Sequence, residues 1–354
     1  MISIILPLYN IGRHMTSFRA CLRSILKQSY TNWELLLVND GSTDGTDKTI
    51  ERIARTDLRI KALHKEHAGV EAARNHGLSH AAGQFVTFID QDDMLHPEAL
   101  SLMRAAIVGD ESDVAIVNYR RFILSTRITI PVTIAPSMSQ RRVIPHDEYM
   151  QKHYQMFFGI NDLPINIWGK LYRTSLLRQY GRLKPSLYGV EDLYFNMCVL
   201  PHARRISIVP EQLYLYRWGG WTTRPNDQLL QVGLTGYNLK KQQIEALNLP
   251  AYYRLTSAIE LLNYSLSHLG SISEYRHLDE LGVRTETEHV LSLPDVQEAI
   301  RIVKEDGKYH TPLTDFLLAQ NAESIASEIY HGMKRRRLQR IIKRILLFLT
   351  NLTS

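Results

Sequence analysis

Cysteine is nearly absent. The 354 residues carry two, Cys21 and Cys198, far apart in sequence. That excludes a disulfide framework and a cysteine-based zinc site, and it fits a reducing compartment. No stretch reaches about 18 consecutive apolar residues, so no transmembrane helix is expected. The opening "MISIILPLYN" is apolar but lacks a basic n-region and a small-residue cleavage site, so it does not read as a signal peptide. Internal repeats and low-complexity tracts are missing. So are a Gly-Lys-Ser/Thr P-loop and the Rossmann glycine fingerprint. The fourteen histidines show no ligand spacing; His76 and His80, four apart, read as helix surface.

What charge there is lies unevenly. The net charge is +6, but "KRRRLQRIIKR" (334–344) holds seven basic residues and no acid. Without it the balance is 35 basic to 36 acidic residues. Basicity is a property of the tail, and nucleic acid is not an expected partner. On a helical wheel Leu338, Ile341, Ile342, Ile345 and Leu349 gather on one side, and Arg336, Arg340, Lys343 and Arg344 on the other. A basic amphipathic helix of this kind reads as an interfacial segment for an anionic membrane surface.

The first half alternates short apolar runs with helical patterns. "SIILPLY" (3–9), "ELLLVND" (34–40), "RIKALH" (59–64), "QFVTFID" (84–90) and "DVAIV" (113–117) read as strands. Helices are expected between them, at 15–26, 46–54, 69–83 and from about Pro97. Strands apolar throughout mean a mostly parallel sheet covered on both faces. "EDLYFNMCVLPHA" (191–203) reads as a helix and "RISIVPEQLYLYR" (205–217) as two edge strands. After a Gly-, Thr-, Pro- and Asn-rich boundary near 222–228 the pattern turns helical to about 330.

In such sheets ligands bind at the carboxyl ends of the strands. Two acidic clusters fall there: "VND" (38–40) and "FIDQDD" (88–93). The second crowds three aspartates into four positions, which mutual repulsion disfavours unless something positive joins them.

Four segments, "ILPLYN" (5–10), "VNDGSTDGT" (38–46), "GVEAARNHGLSHAAGQFVTFIDQDD" (69–93) and "GVEDLYF" (189–195), occur in an order and spacing that resemble the family 2 glycosyltransferases over roughly residues 1–220. Asn39 departs from the pattern, where the family often has a first Asp. The resemblance implies an α/β GT-A fold, Rossmann-like, with an α-helical C-terminal region. With the boundary and the tail read above, the expected organisation is a catalytic domain at 1–225, a helical region at 226–332 for acceptor binding or homo-oligomer contacts, and a membrane-associating tail at 333–354.

The chemistry it implies suits these residue types. A sugar nucleotide's diphosphate gains charge as the anomeric C–O bond breaks, and a divalent cation stabilises that charge. Mn2+ or Mg2+ takes one or two carboxylates plus phosphates and water. On an extended chain Asp90 and Asp92 share a face with Gln91 turned away. By resemblance Asp92 is the direct ligand, and Asp90 meets ribose or metal-bound water. Asp93 is either an assistant or a helix cap. Pro7, Tyr9 and Asp40 form the nucleobase pocket, with the carboxylate accepting from the N3–H of uracil, so a UDP-sugar is favoured. Arg74 meets uracil or phosphate. Asp192 is the general base that takes the acceptor hydroxyl's proton, with Glu191 beside it. A single displacement then inverts the anomeric centre. Trp168 and Lys170 are candidates for sugar stacking and phosphate contact. Arg217, Trp218, Trp221 and Arg224 are candidates for a loop closing over the diphosphate.

The expected protein is an inverting, metal-dependent glycosyltransferase serving surface-polysaccharide synthesis. Its acceptor is a glycan or lipid-linked hydroxyl, and its place the cytoplasmic face of the cell membrane. The alternatives are a non-catalytic nucleotide-sugar-binding scaffold and a sugar-nucleotide nucleotidyltransferase. The second wants a Gly-rich basic loop after the first strand, which "LYNIGRHM" matches poorly.

Overall fold

The protein is described by a computed structural model covering residues 1–123, 128–130, 132–159, 163–184, 189–218, 227–308, 315 and 317–335. The chain divides into two compact units, Met1–Thr223 and Arg224–Ser354.

The first unit is built on one sheet. Strands β1 (Ile2–Leu8), β2 (Trp33–Asp40), β3 (Ile60–Lys65) and β4 (Phe85–Phe88) lie in the order β3-β2-β1-β4 and are parallel. Every residue of β1 and β2 is buried, which is why both read as unbroken apolar runs. Ile2, Ile4, Leu6 and Leu8 join Phe18, Cys21 and Ile25 of helix α1 (Met15–Leu26) in the core. On the other face helix α3 (Val70–His80) packs on β1 and β2. Gly77 permits that approach, because a Cβ there would sit 2.5 Å from the Ile5 side chain. Helix α2 (Thr46–Ala54) joins β2 to β3.

Beyond β4 the sheet is mixed, a correction to the mostly parallel sheet expected. Short β5 (Met94–Leu95) leads into α4 (Ala99–Gly109) and β6 (Val114–Ile123). An excursion through β7 (Ile128–Ile130), β8 (Arg142–Pro145) and one-turn α5 (His146–Glu148) returns as β9 (Lys170–Arg173). Strand β9 inserts antiparallel between β4 and β6. No βα crossover precedes it, so nothing obliges it to run parallel. Helices α6 (Thr174–Tyr180) and α7 (Glu191–Val199) follow, then β10 (Arg205–Arg217).

The run read as two edge strands is one strand, β10, lying between β6 and β5. Its register shifts around Gln212, beside Pro210. A proline cannot donate to a ladder, so it sits at the irregularity. The Pro210 carbonyl accepts from the Asn118 side chain at 2.7 Å.

The second unit is helical: α8 (Leu229–Ala246), α9 (Tyr252–Tyr275), α10 (Glu280–Ser292) and α11 (Pro294–Asp306), with residues 322–335 also helical. Its core gathers Tyr237, Leu262, Leu269, Val283, Val290, Ile300 and Val303. No helix among the described residues is long and apolar enough to cross a membrane. Lys334 and Arg335 end the described helix; the rest of the basic tail, 336–354, lies outside the described residues.

Candidate active site

Strand tips β2, β1 and β4 stand side by side, so the loops after Asp40, Leu8 and Phe88 are neighbours. The loop after β2 is tied to the loop after β1. Asn10 N donates to Ser42 Oγ, Thr43 N to Asn10 Oδ1 and Gly12 N to Asp44 Oδ2. Asp44 Oδ1 also accepts the Thr46 amide at the start of α2, at 3.1 Å. Asn39, buried, folds its carbonyl oxygen onto Ser42 N and supports the turn.

Asp40 is buried, and both its oxygens are taken. Oδ1 accepts from Lys65 Nζ at 2.5 Å and Ala68 N at 3.0 Å. Oδ2 accepts from Gly69 N at 2.8 Å and lies 2.8 Å from His67 Nδ1. Burial pushes this carboxyl up, but Lys65 and the two amides outweigh it and hold Asp40 below the usual carboxylate range. Gly41, at φ +65°, makes the turn; a Cβ there would meet His67 N at 2.5 Å. Tyr9 is 43% exposed, and its ring stacks on His67 with centroids 4.4 Å apart. Pro7 is buried inside β1, opposite Val38.

The acidic cluster after β4 is a turn, which corrects the extended chain expected. Asp93 N donates to the Asp90 carbonyl at 3.1 Å. Strand alternation therefore does not set the directions of Asp90 and Asp92. Asp90 accepts from Arg74 Nη2 at 2.8 Å, and Asp92 from Arg217 Nε at 2.8 Å. Gln91 turns inward to the neighbouring loop: its Oε1 accepts from Tyr9 N at 3.1 Å. Asp93 neither caps α4 nor faces the cleft. It is 1% exposed and accepts from Tyr214 Oη at 2.7 Å and Arg217 N at 2.8 Å, fastening the end of β10 to the turn. Burial, then the charges of Asp90 and Asp92, push its carboxyl well up. Burial also raises Asp90, against the pull of Arg74.

Arg74 lies at the centre. It stands on α3, is 3% exposed, and donates on its other side to Asp192 Oδ1 at 3.1 Å. Burial opposes its charge, but Asp90 and Asp192 outweigh that and raise it. One guanidinium thus holds two carboxylates from separate segments, which its fork geometry allows and a lysine's would not. Asp192, in the first turn of α7, takes a second bond on Oδ2 from Ile167 N at 3.1 Å. Asn196 on the same helix donates to the Ile165 carbonyl and accepts from Tyr172 Oη, which fixes α7 against β9. Beside it, Glu191 Oε2 is buried without a hydrogen-bond partner among the described residues. Burial raises the Glu191 carboxyl, and Asp192's charge adds to that.

Two expected substrate contacts sit elsewhere. Trp168 is 6% exposed and stacks on Tyr214 at 4.4 Å and Tyr216 at 5.4 Å, inside the sheet core. Lys170 is fully buried and donates to the carbonyls of Pro164 and Asn166. Those carbonyls leave regular structure and need a donor, which Lys170 supplies. Burial pushes its ammonium down to about 7, against the pull of Asp192. Trp218 is 36% exposed beneath Arg121, whose guanidinium lies 4.4 Å from the ring. Trp221 and Arg224 lie outside the described residues.

The donor set suits a hard divalent cation of the substrate-completed kind. Asp90 and Asp92 each engage a cation through one oxygen only. The second oxygens are the ligands such an ion would take, with phosphate and water completing its shell. No group of three or more metal-ligating side chains occurs among the described residues, so no all-protein cage is built. Lys65 and His67 went unmarked in the sequence as site residues, and Gln91, expected to turn away, ties the two loops together. Lys65 ends a strand beside Asp40's, which was its only signal.

Comparison with known proteins bears on this site. The family model described as glycosyl transferase family 2 matches residues 3–181. EpsH of Bacillus subtilis (strain 168), described provisionally as a glycosyltransferase, is 32% identical over 260 residues, covering 72% of this chain and 72% of EpsH. Glycosyltransferase GlyA of Streptococcus pneumoniae is 29% identical over 292 residues, 78% of this chain; the match spans 40% of GlyA. TarS of Staphylococcus aureus, a poly(ribitol-phosphate) beta-N-acetylglucosaminyltransferase, is 28% identical over 218 residues, 60% of this chain and 35% of TarS. The crystal structure of TarS 1–349 in complex with UDP-GlcNAc superposes with a TM-score of 0.63 at 20% identity, covering 94% of this chain and 91% of that one.

Proposed function

The chain belongs to glycosyl transferase family 2, and from that premise we propose that it transfers a sugar from a UDP-sugar to a hydroxyl of a surface glycan or lipid-linked acceptor, with inversion. One observation carries the reading. Arg74, buried, bonds Asp90 at the donor turn and Asp192 at the base position, at 2.8 and 3.1 Å. The two chemistries the reaction needs are therefore within one guanidinium of each other.

Asp40 receives the nucleobase and Tyr9 offers a ring for it to stack on. Gln91 ties the Tyr9 loop to the acidic turn, so base and diphosphate are held in one register. Asp90 and Asp92 would hold Mn2+ or Mg2+, which when bound draws charge off the departing diphosphate. Arg74 offsets the charge that gathers at that end. Asp192 accepts the proton of the attacking hydroxyl while Ile167 N and Arg74 fix its direction. Glu191, raised and with Oε2 unbonded among the described residues, is suited to meet an acceptor hydroxyl. Attack from the face opposite the leaving group turns an α-linked donor into a β-linkage. The beta linkage named for TarS and the UDP-GlcNAc of its complex favour UDP-GlcNAc as the first donor to try. The helical unit is read as the acceptor or oligomer-forming part, and the basic tail as a contact with the inner membrane surface.

The test is UDP release from UDP-GlcNAc and related UDP-sugars, with and without acceptor, in Mn2+ and after chelation. Acceptor-dependent, chelator-sensitive release is expected. Nucleotide binding without release under any acceptor would favour a scaffold instead.

A further inference from the structure

Both groups that would grip a nucleobase are already engaged, and by the same side chain. The imidazole of His67 lies on the Tyr9 ring, 4.4 Å between centroids and 23° from parallel. Its Nδ1 lies 2.8 Å from Asp40 Oδ2 and 3.1 Å from the Asp40 carbonyl oxygen. Both neighbours are acceptors, so Nδ1 carries a proton and donates. A planar ring stacked on Tyr9 and giving one N–H to Asp40 repeats what a uracil ring with its N3–H would do.

We infer that His67 is an internal stand-in for the nucleobase, seated in the donor pocket and displaced when the donor binds. This rests on the reading of Tyr9 and Asp40 as the base pocket. Three observations favour displacement over co-occupancy. Oδ1 of Asp40 accepts from Lys65 and Ala68 and Oδ2 from Gly69, and the His67 ring lies against Oδ2 at 2.8 Å with its N–H on the Asp40 carbonyl, so a new N–H reaching Oδ2 has to take the imidazole's place. Of these four groups, two are backbone amides fixed by the start of α3, and Lys65 has only 16% of its side chain exposed. His67 has 55% of its side chain exposed and can swing into water. The bond it gives up is replaced by the incoming N–H, and its stacking by the incoming ring.

The arrangement also selects among bases. Departure of His67 opens one position, on Oδ2, while Lys65 and Ala68 keep Oδ1. A ring presenting a single N–H between carbonyls fits, as in uracil or thymine. Guanine presents two adjacent donors to a carboxylate and would find one of its positions held.

Isothermal titration of UDP in Mn2+ into wild type, His67→Ala and Asp40→Asn tests this, with thermal melting as the folding control. If the seated ring fills the pocket most of the time, removing it tightens apparent affinity about three- to tenfold. His67→Ala should therefore bind UDP more tightly than wild type, and Asp40→Asn should lose binding. Equal or weaker UDP binding by His67→Ala, with Asp40→Asn still defective, overturns the stand-in and leaves the pocket standing. Normal binding by Asp40→Asn, or no binding by wild type, removes the pocket and the stand-in with it. GDP is expected to bind more weakly than UDP to both wild type and His67→Ala; equal affinity would overturn the one-donor selection.

Discussion

Asp40 and Asp192 are both acids at one rim of one sheet, yet they are held in opposite ways. Asp40 accepts from Lys65 and two backbone amides, with His67 Nδ1 2.8 Å from its second oxygen, and is held below the usual carboxylate range. Asp192 has two donors, one of which it shares with Asp90 through Arg74, and its neighbour Glu191 is raised and has an oxygen with no partner among the described residues. Saturation suits a group that must keep one shape and one charge while a ligand is recognised. Sparse bonding suits a group that must accept a proton or meet a second substrate. The difference agrees with the proposed division, binding at the first end and proton transfer at the second.

Exchanging each acid for its amide breaks the comparison most sharply. Asp192→Asn removes the proposed base but keeps the shape and the Ile167 bond. Turnover should fall by about 10²–10⁴, the usual contribution of a positioned base, with UDP affinity unchanged. Asp40→Asn should do the reverse, losing UDP affinity first. Steady-state kinetics beside calorimetry separates them. Loss of UDP binding by Asp192→Asn would mean the two ends are not distinct.

The next effect is on stability. Arg74→Met strips the only cation among the described residues that Asp90 and Asp192 bond. Breaking a buried pair from one side costs about 3 kcal/mol or more, because the remaining charge is left uncompensated. Lys65→Met leaves Asp40 two amides and His67, and should cost about 1 kcal/mol. Urea unfolding of the two variants reads the contrast directly. Equal losses would show that the amides at Asp40 carry no redundancy.

Much of the first end was legible in the sequence, and less of the second. Strand β2 and its terminal Asp40 follow from an unbroken apolar run that stops at a turn sequence. The turn is local, so composition reports it. Residues whose place depends on distant partners escaped. Asp90, Gln91 and Asp92 read as extended because alternation describes strands, but the Asp93–Asp90 backbone bond closes a turn there. Arg74 meets Asp192 across 118 positions of sequence. Trp168 and Lys170 looked like substrate contacts because aromatic and basic residues suit sugars and phosphates. The stack with Tyr214 and the carbonyls of Pro164 and Asn166 claim them first. Strand β10 reads as edge because Pro210 interrupts it, and no pattern within the strand reveals that β5 will pair on its far side. Periodicity gives the face a residue occupies, whereas its partners are set by topology.

The smallest effect separates two glutamates. Glu34 resembles Asp40: its side chain is 5% exposed and accepts from Ser3 Oγ at 2.6 Å, Ala82 N at 2.7 Å and Lys61 Nζ at 2.8 Å. Burial raises it, but those donors outweigh burial and hold it below its ordinary value. Its stabilising contribution is therefore complete above the unfolded value, about 4.3, and is lost as pH falls through the lower folded value. Glu191 is the reverse. Its folded value lies above the unfolded one, so the native state is penalised at pH above the folded value and relieved as pH falls through it. At pH 7, then, Glu34→Gln should lower stability by about 1 kcal/mol, while Glu191→Gln should raise it by a smaller amount. Acidification should shrink both differences, since the wild type loses the first advantage and sheds the second penalty. Denaturant midpoints from pH 7 down to pH 4 measure both. A Glu191→Gln variant less stable than wild type at pH 7 would mean that the attraction of Arg74 outweighs the cost of burying this acid, and that the contrast between the two ends of the rim is weaker than their bonding suggests.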